Sequence, residues 1–91
     1  MKFAEAFELA RCGRRIAREG WNGKGQFVYC QEGSVIDPAQ AKNPTLAAFE
    51  NPITIRPHLD LKTVDGSIIV GWTPSTGDLF ADDWALFVGI G

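Results

Sequence analysis

Ten residues, Ile53 to Lys62, constrain this chain more than any others. Ile53, Ile55, Pro57, Leu59 and Leu61 alternate with Thr54, Arg56, His58, Asp60 and Lys62. A period of two is that of a half-buried strand with one apolar and one polar face. Pro57 has no amide hydrogen, so part of this strand is expected at a sheet edge or a bulge. Asp65-Gly66 signals a two-residue hairpin turn. That turn sets Leu61 opposite Val70, Asp60 opposite Gly71 and Leu59 opposite Trp72. The polar row Arg56, His58 and Asp60 is then expected beside a glycine, with open space above the sheet, and Trp72 on the apolar side.

The rest of the chain supplies partners for that strand. Phe3, Phe7 and Ala10 fall at helical spacing, with Ala6 alongside and Glu5 and Glu8 facing away, which predicts a short amphipathic helix over residues 3–11. Gly13 stands where a left-handed residue ends a helix, and Arg14 and Arg15 suit its negative pole. A helix this short needs a sheet to lie on. Residues 16–18 read as a brief strand, 26–31 as a second, 34–36 as its returning partner and 84–88 as a closing strand. Residues 37–52, with Pro38, Pro44 and Pro52, read as a surface loop holding a helical turn across Thr45–Phe49, and 73–82 as a second loop. The expected fold is α+β, a small antiparallel sheet with a short N-terminal helix, in one domain spanning 1–91.

A chain of 91 residues with 45% hydrophobic content is globular but has limited surface to bury. Six Phe and three Trp exceed what one thin layer can cover, so a homo-oligomer is expected. A net charge of −2 argues against non-specific binding of DNA or RNA. Basic residues still gather early, at Arg11, Arg14, Arg15, Arg18 and Lys24, either as a solvated helix end or as a patch able to meet phosphates. Cys12 and Cys30 lack metal-ligand spacing. The N-terminal residues do not read as a signal peptide, and no apolar run reaches membrane-spanning length. These features predict a cytosolic protein with reduced thiols.

The densest chemistry lies in Arg18-Glu19-Gly20-Trp21-Asn22-Gly23-Lys24-Gly25. Three glycines permit a tight turn and close approach to the main chain. Trp21 offers a flat apolar face with one N–H donor, either as a ligand platform or as a packing residue. The spacing is not that of a phosphate-binding P-loop. His58 and Asp60 share a strand face, yet no nucleophile is placed beside them, so catalysis is not the expected role. One His, two separated Cys and scattered carboxylates make no metal set. Asp78, Asp82 and Asp83 lack the alternation of a calcium loop and read as turn and capping carboxylates.

Three blocks together resemble a known family: Ala17 to Gly25, Arg56-Pro57-His58-Leu59-Asp60-Leu61-Lys62-Thr63-Val64-Asp65-Gly66, and Gly71-Trp72-Thr73-Pro74-Ser75-Thr76-Gly77-Asp78-Leu79-Phe80-Ala81-Asp82-Asp83-Trp84. The opening Phe3-Ala4-Glu5-Ala6-Phe7 is similar too. The family is the second group of Thoeris anti-defence proteins of phages and prophages, and the segment from Glu32 to Asn51 matches it least. The resemblance implies a non-enzymatic sponge that captures a cyclic nucleotide immune signal and keeps it from its effector. The implied ligands are glycocyclic ADP-ribose and related signals, with cyclic di- or oligonucleotides in some members. It also implies a homotetramer with sites at subunit interfaces, no cofactor, and action in the cytoplasm of the infected bacterium. The residues expected at such a site are Trp21 for stacking with Trp72 as a second candidate, Asn22 and Asp78 for ribose or base edges, and Arg18, Lys24 and Arg56 for phosphates. Two other readings stand beside it: a structural or protein-interaction module of a phage, and a hydrolase using His58 with Asp60.

Overall fold

A computed structural model describes residues 1–21 and 24–89. Helix α1 (Phe3–Arg11) has the bounds its pattern predicts. Its end is a Schellman motif: Gly13 lies at φ +93°, its N–H donates to the Ala10 carbonyl at 3.0 Å, and the Arg14 N–H donates to the Leu9 carbonyl at 3.1 Å. Only a residue without Cβ adopts that turn cheaply. The helix presses Ala6 and Ala10, both fully buried, onto the sheet, with Phe3 and Leu9 packed around them.

Among the described residues seven short strands follow the helix: β1 (Ile16–Arg18), β2 (Phe27–Gln31), β3 (Ser34–Ile36), β4 (Ile53–Ile55), β5 (His58–Lys62), β6 (Ile68–Val70) and β7 (Trp84–Leu86). Five of them form one antiparallel sheet in the order β6-β5-β2-β1-β7, while β3 and β4 pair in a second. A 3₁₀ turn at Pro38–Gln40, helix α2 (Pro44–Ala47) and helix α3 (Thr76–Phe80) complete the chain. This is the expected α+β class.

Two expectations about the sheet need correction. Ser34–Ile36 does not return along β2. Instead β2 pairs with β5 from Phe27↔Lys62 to Gln31↔His58, and β3 pairs with β4 from Ser34↔Ile55 to Ile36↔Ile53. Both ladders keep one register, so residues 27–36 and 53–62 form a single antiparallel ribbon interrupted midway. At the interruption Pro57 cannot donate to the ladder. Opposite it Gly33 lies at φ +94°, where a Cβ would stand 2.3 Å from the Ile55 carbonyl oxygen. The outer half, β3 and β4, pairs with no strand of the five-stranded sheet. The molecule accordingly measures 45 × 26 × 23 Å with a radius of gyration of 15.5 Å, against about 12 Å for a compact chain of this length.

The second correction is the hairpin register. Asp60 pairs with Val70, Leu61 with Ile69 and Lys62 with Ile68, one residue away from the expected pairing. The turn is a three-residue loop, Val64 to Gly66: a two-residue type I′ turn needs positive φ at both central residues, and here Gly66 has it at φ +93° while Asp65 does not, so the Thr63 N–H closes on the Ser67 carbonyl at 2.8 Å. A second left-handed glycine, Gly71 at φ +81°, then adds a bulge. Beyond it the Trp72 N–H bonds the Leu59 carbonyl at 2.7 Å, and Trp72 packs against the core as expected.

Asp60 also departs from expectation, because it is fully buried and not part of an open polar row. Its carboxylate accepts from Gln31 Nε2 at 3.0 Å and from the Gly71 N–H at 3.1 Å, with His58 Nε2 at 3.3 Å. The core beside α1 is Ile16, Val28, Leu61 and Trp84. By strand alternation Phe27, Tyr29, Asp60 and Lys62 belong to the other face, which no helix covers. Cys12 and Cys30 are free thiols. No helix among the described residues is long and apolar enough to cross a membrane.

Candidate functional site

Three tryptophans meet at one end of the core. The β1–β7 register sets Arg18 opposite Trp84, and the chain turns immediately afterwards, with the Trp21 N–H bonded to the Arg18 carbonyl at 3.2 Å. Trp21 therefore folds back over β7. Its ring stands edge-on to Trp84 at 5.3 Å between centroids and 77° between planes, and edge-on to Trp72 at 6.3 Å and 76°. Trp72 and Trp84 are likewise edge-on at 6.3 Å. This arrangement sets the positive ring edge of one indole against the negative face of another. Trp84 is 1% exposed, whereas Trp21 and Trp72 are half-buried and keep surface for a further contact.

Trp84 is tied to α3 through its indole N–H, which donates to the Asp78 carbonyl at 2.8 Å. Helix α3 starts in a capping box. Ser75 Oγ accepts from the Asp78 N–H at 3.1 Å, and Asp78 Oδ2 accepts from the Ser75 N–H at 3.0 Å. The Ser-x-x-Asp spacing that encodes this box lies within the stretch expected to be a loop, and it was the signal for the helix.

Arg18 is held by two carboxylates. Its Nε donates to Asp83 Oδ1 at 2.8 Å and one terminal nitrogen to Asp78 Oδ1 at 3.0 Å. The Arg18 guanidinium is pushed further up by its bonds to Asp83 and then Asp78. Asp83 is held below the usual carboxylate range chiefly by Arg18, then by the Gly20 N–H. Burial pushes the Asp78 carboxyl up, but bonds from the Ser75 backbone, Arg18 and the Ser75 hydroxyl, with Trp21 close by, outweigh it and leave the net shift downward. The result is a rigid, charge-compensated wall beside the indoles. It offers carboxylate oxygens with lone pairs to spare and little net positive charge.

The structure thus brings Arg18, Trp21, Trp72 and Asp78 together, with Arg18 and Asp78 bonded to each other. Lys24 is exposed on the following turn, and Asn22 lies outside the described residues. Arg56 is exposed in the link between β4 and β5, where its carbonyl meets His58 Nδ1 at 2.8 Å. Asp83 and Gly20 complete the arrangement and were not expected in it. Their pairing depends on the β1–β7 register, which links residues 65 positions apart for Arg18 and Asp83. His58 Nδ1 lies 2.8 Å from the Arg56 carbonyl oxygen and Nε2 lies 3.3 Å from Asp60 Oδ1. No group of three or more metal-ligating side chains occurs among the described residues.

The fold is thus a small α+β domain whose sheet carries a half-open indole cluster beside a doubly paired arginine. Residues 1–87 match the Thoeris anti-defense 2-like domain, and the chain belongs to that family. It is 31% identical over 84 residues to Thoeris anti-defense 2 of Bacillus phage SP01, a match covering 92% of this chain and 91% of the relative.

Proposed function

We propose that this protein counters Thoeris defence by binding a cyclic nucleotide signal of the glycocyclic ADP-ribose class and withholding it uncleaved. The observation that carries this reading is the Trp21–Trp72 pair, two half-buried indoles fixed at 76° to one another beside the Asp78 and Asp83 carboxylates. A half-open indole is a stacking face for adenine, worth roughly 1–3 kcal/mol per base. Carboxylates that already hold Arg18 retain lone pairs for ribose hydroxyls or an exocyclic amine. Because Arg18 is neutralised, Lys24 and Arg56 are the cations proposed for the diphosphate.

Assembly as a homotetramer is part of the same proposal. Phe80 is 86% exposed and Val88 90% exposed, and apolar side chains this open are natural contacts between copies. Those residues equally favour a second reading, a protein-interaction module without a nucleotide ligand.

Isothermal titration with glycocyclic ADP-ribose, followed by heating and chromatography of the released compound, separates the readings. Tight binding and recovery of the intact signal are expected. A cleaved product would make the protein an enzyme, and absence of binding with a stable assembly would favour the interaction module.

A further inference from the structure

His58 is the only histidine of the chain, and each of its ring nitrogens faces an oxygen that carries no hydrogen. One is the Arg56 carbonyl, 2.8 Å from Nδ1, and the other is Asp60 Oδ1, 3.3 Å from Nε2. A neutral imidazole has one N–H and one lone pair, so it satisfies one of these acceptors and sets a lone pair against the other. Only the imidazolium donates to both. We infer that His58, as the imidazolium, is a positioning residue for Trp72: it neutralises the Asp60 carboxylate that holds the Gly71 bulge, and it makes capture at the indoles depend on pH. This rests on the proposal that the cyclic nucleotide signal binds at Trp21 and Trp72.

Asp60 needs such a partner. It has no exposed surface, and a buried carboxylate without a cation is strongly unfavourable. Its other two bonds come from neutral donors, Gln31 Nε2 at 3.0 Å and the Gly71 N–H at 3.1 Å. Among the described residues His58 is the one cationic group within ion-pair distance of it. The remaining neighbours do not compete for this role. Tyr29 stands opposite Asp60 on β2, and burial and then Asp60 push its hydroxyl up, so it stays neutral. Arg11 and Cys30 line the same crevice of about 100 Å³ as His58. Arg11 is paired with Glu8 at 3.0 Å, and the Cys30 thiol donates to the Gln31 carbonyl at 3.6 Å. Lys62, on the same strand, donates to the Gly25 carbonyl at 2.9 Å. From β6 and the bulge, Val70 and Gly71 bring no charge. The His58 side chain is 24% exposed, so solvent protons reach it. Histidine is the side chain whose charge ordinarily changes between about pH 5 and 8.

A short path joins this pair to the indoles. The bond to Asp60 fixes Gly71 at φ +81°. The next residue, Trp72, donates its N–H to the Leu59 carbonyl at 2.7 Å and stands edge-on to Trp21 at 76°. Loss of the ring proton leaves Asp60 without its cation. Either the carboxyl takes up a proton and gives up an acceptor site, or His58 turns away. The Gly71 tie slackens in both cases, and Trp72 is released from its fixed angle. The protonated state aims the indole, so affinity is highest at the acid end of the histidine range and falls as pH rises through it.

The test is calorimetric titration of the full chain with glycocyclic ADP-ribose from about pH 5.5 to about pH 8. Nitrogen NMR of the single imidazole and near-ultraviolet dichroism of the unliganded protein are followed over the same range. Affinity should fall at least about fivefold as pH rises, the low end of coupling between two sites. The indole dichroism should change over the interval in which the imidazole loses its proton. His58→Gln keeps a donor toward Asp60 without a charge, and should bind at the weakened level with that slope removed. Three outcomes overturn the assignment: dichroism that stays constant while the imidazole titrates, highest affinity where the ring is neutral, or a His58→Gln profile as steep as the parent's. If the compound binds at no pH, the reading of the indole site falls, and the dichroism measured without ligand still decides whether His58 positions Trp72.

Discussion

The N–H of Gly71 donates to Oδ1 of Asp60 at 3.1 Å, so a fully buried carboxylate holds the bulge that turns Trp72 toward the core. Asp60→Asn keeps the shape of the side chain but puts an NH₂ group among donors. One donor is then left unsatisfied, at a cost of about 1–3 kcal/mol. Urea unfolding should show this loss together with a weaker near-ultraviolet signal from the indoles. An unchanged midpoint would mean that the bulge does not need the carboxylate.

Gly20 and Asp83 are equally dependent on each other. The Gly20 N–H donates to Asp83 Oδ2 at 2.8 Å, and a Cβ on Gly20 would lie 2.7 Å from the same oxygen. Gly20→Ala must displace Asp83 and loosen its grip on Arg18. A fall in Tm of about 4–8 °C is expected, the shift that roughly 1 kcal/mol makes in a domain of this size. Scanning calorimetry measures it directly.

Trp21 and Trp84 should separate binding from folding. Trp84→Ala removes a nearly sealed indole and its bond to the Asp78 carbonyl, and is expected to cost about 3–5 kcal/mol. Trp21→Ala removes a half-buried ring, with a smaller loss of stability. It should weaken glycocyclic ADP-ribose about fivefold to a hundredfold, the equivalent of one stacked base. Binding that survives Trp21→Ala intact would move the ligand away from the indoles.

Acid should destabilise the fold in a defined window. Hydrogen bonds from Thr63 and then Ser67 hold the Asp65 carboxyl down at about 2, and Asp83 and Asp78 are also lowered. A carboxyl whose folded pKa is depressed stabilises the protein above its unfolded pKa of about 3.9, and that contribution disappears as pH falls through the folded value. These carboxylates should leave the Tm unchanged above about pH 5 and lower it between about pH 4 and pH 2. Asp83→Asn should start lower and decline less steeply. A Tm that rose on acidification below about pH 5 would contradict the assignment of these bonds.

Local pattern was enough to specify the helix Phe3–Arg11, the strands Ile16–Arg18 and Ser34–Ile36, the glycine that ends α1, and the α+β class. Each of these depends on side-chain periodicity or on the conformation of one glycine, and both are written in neighbouring residues. The blocks Ala17–Gly25, Arg56–Gly66 and Gly71–Trp84 also carried the family. Tertiary structure decided which strands pair. Residues 34–36 pair with β4, carrying the β2–β5 register past the crossing at Gly33, and the hairpin differs by one residue because Gly66 alone, without Asp65, enters the left-handed region. It also decided the charges: Arg18 reads as a free cation until the β1–β7 register brings Asp83 to it, and Asp60 reads as exposed until Gln31 and Gly71 close over it. A hydrogen bond between residues 65 positions apart depends on the path of the whole chain, which no window of sequence contains.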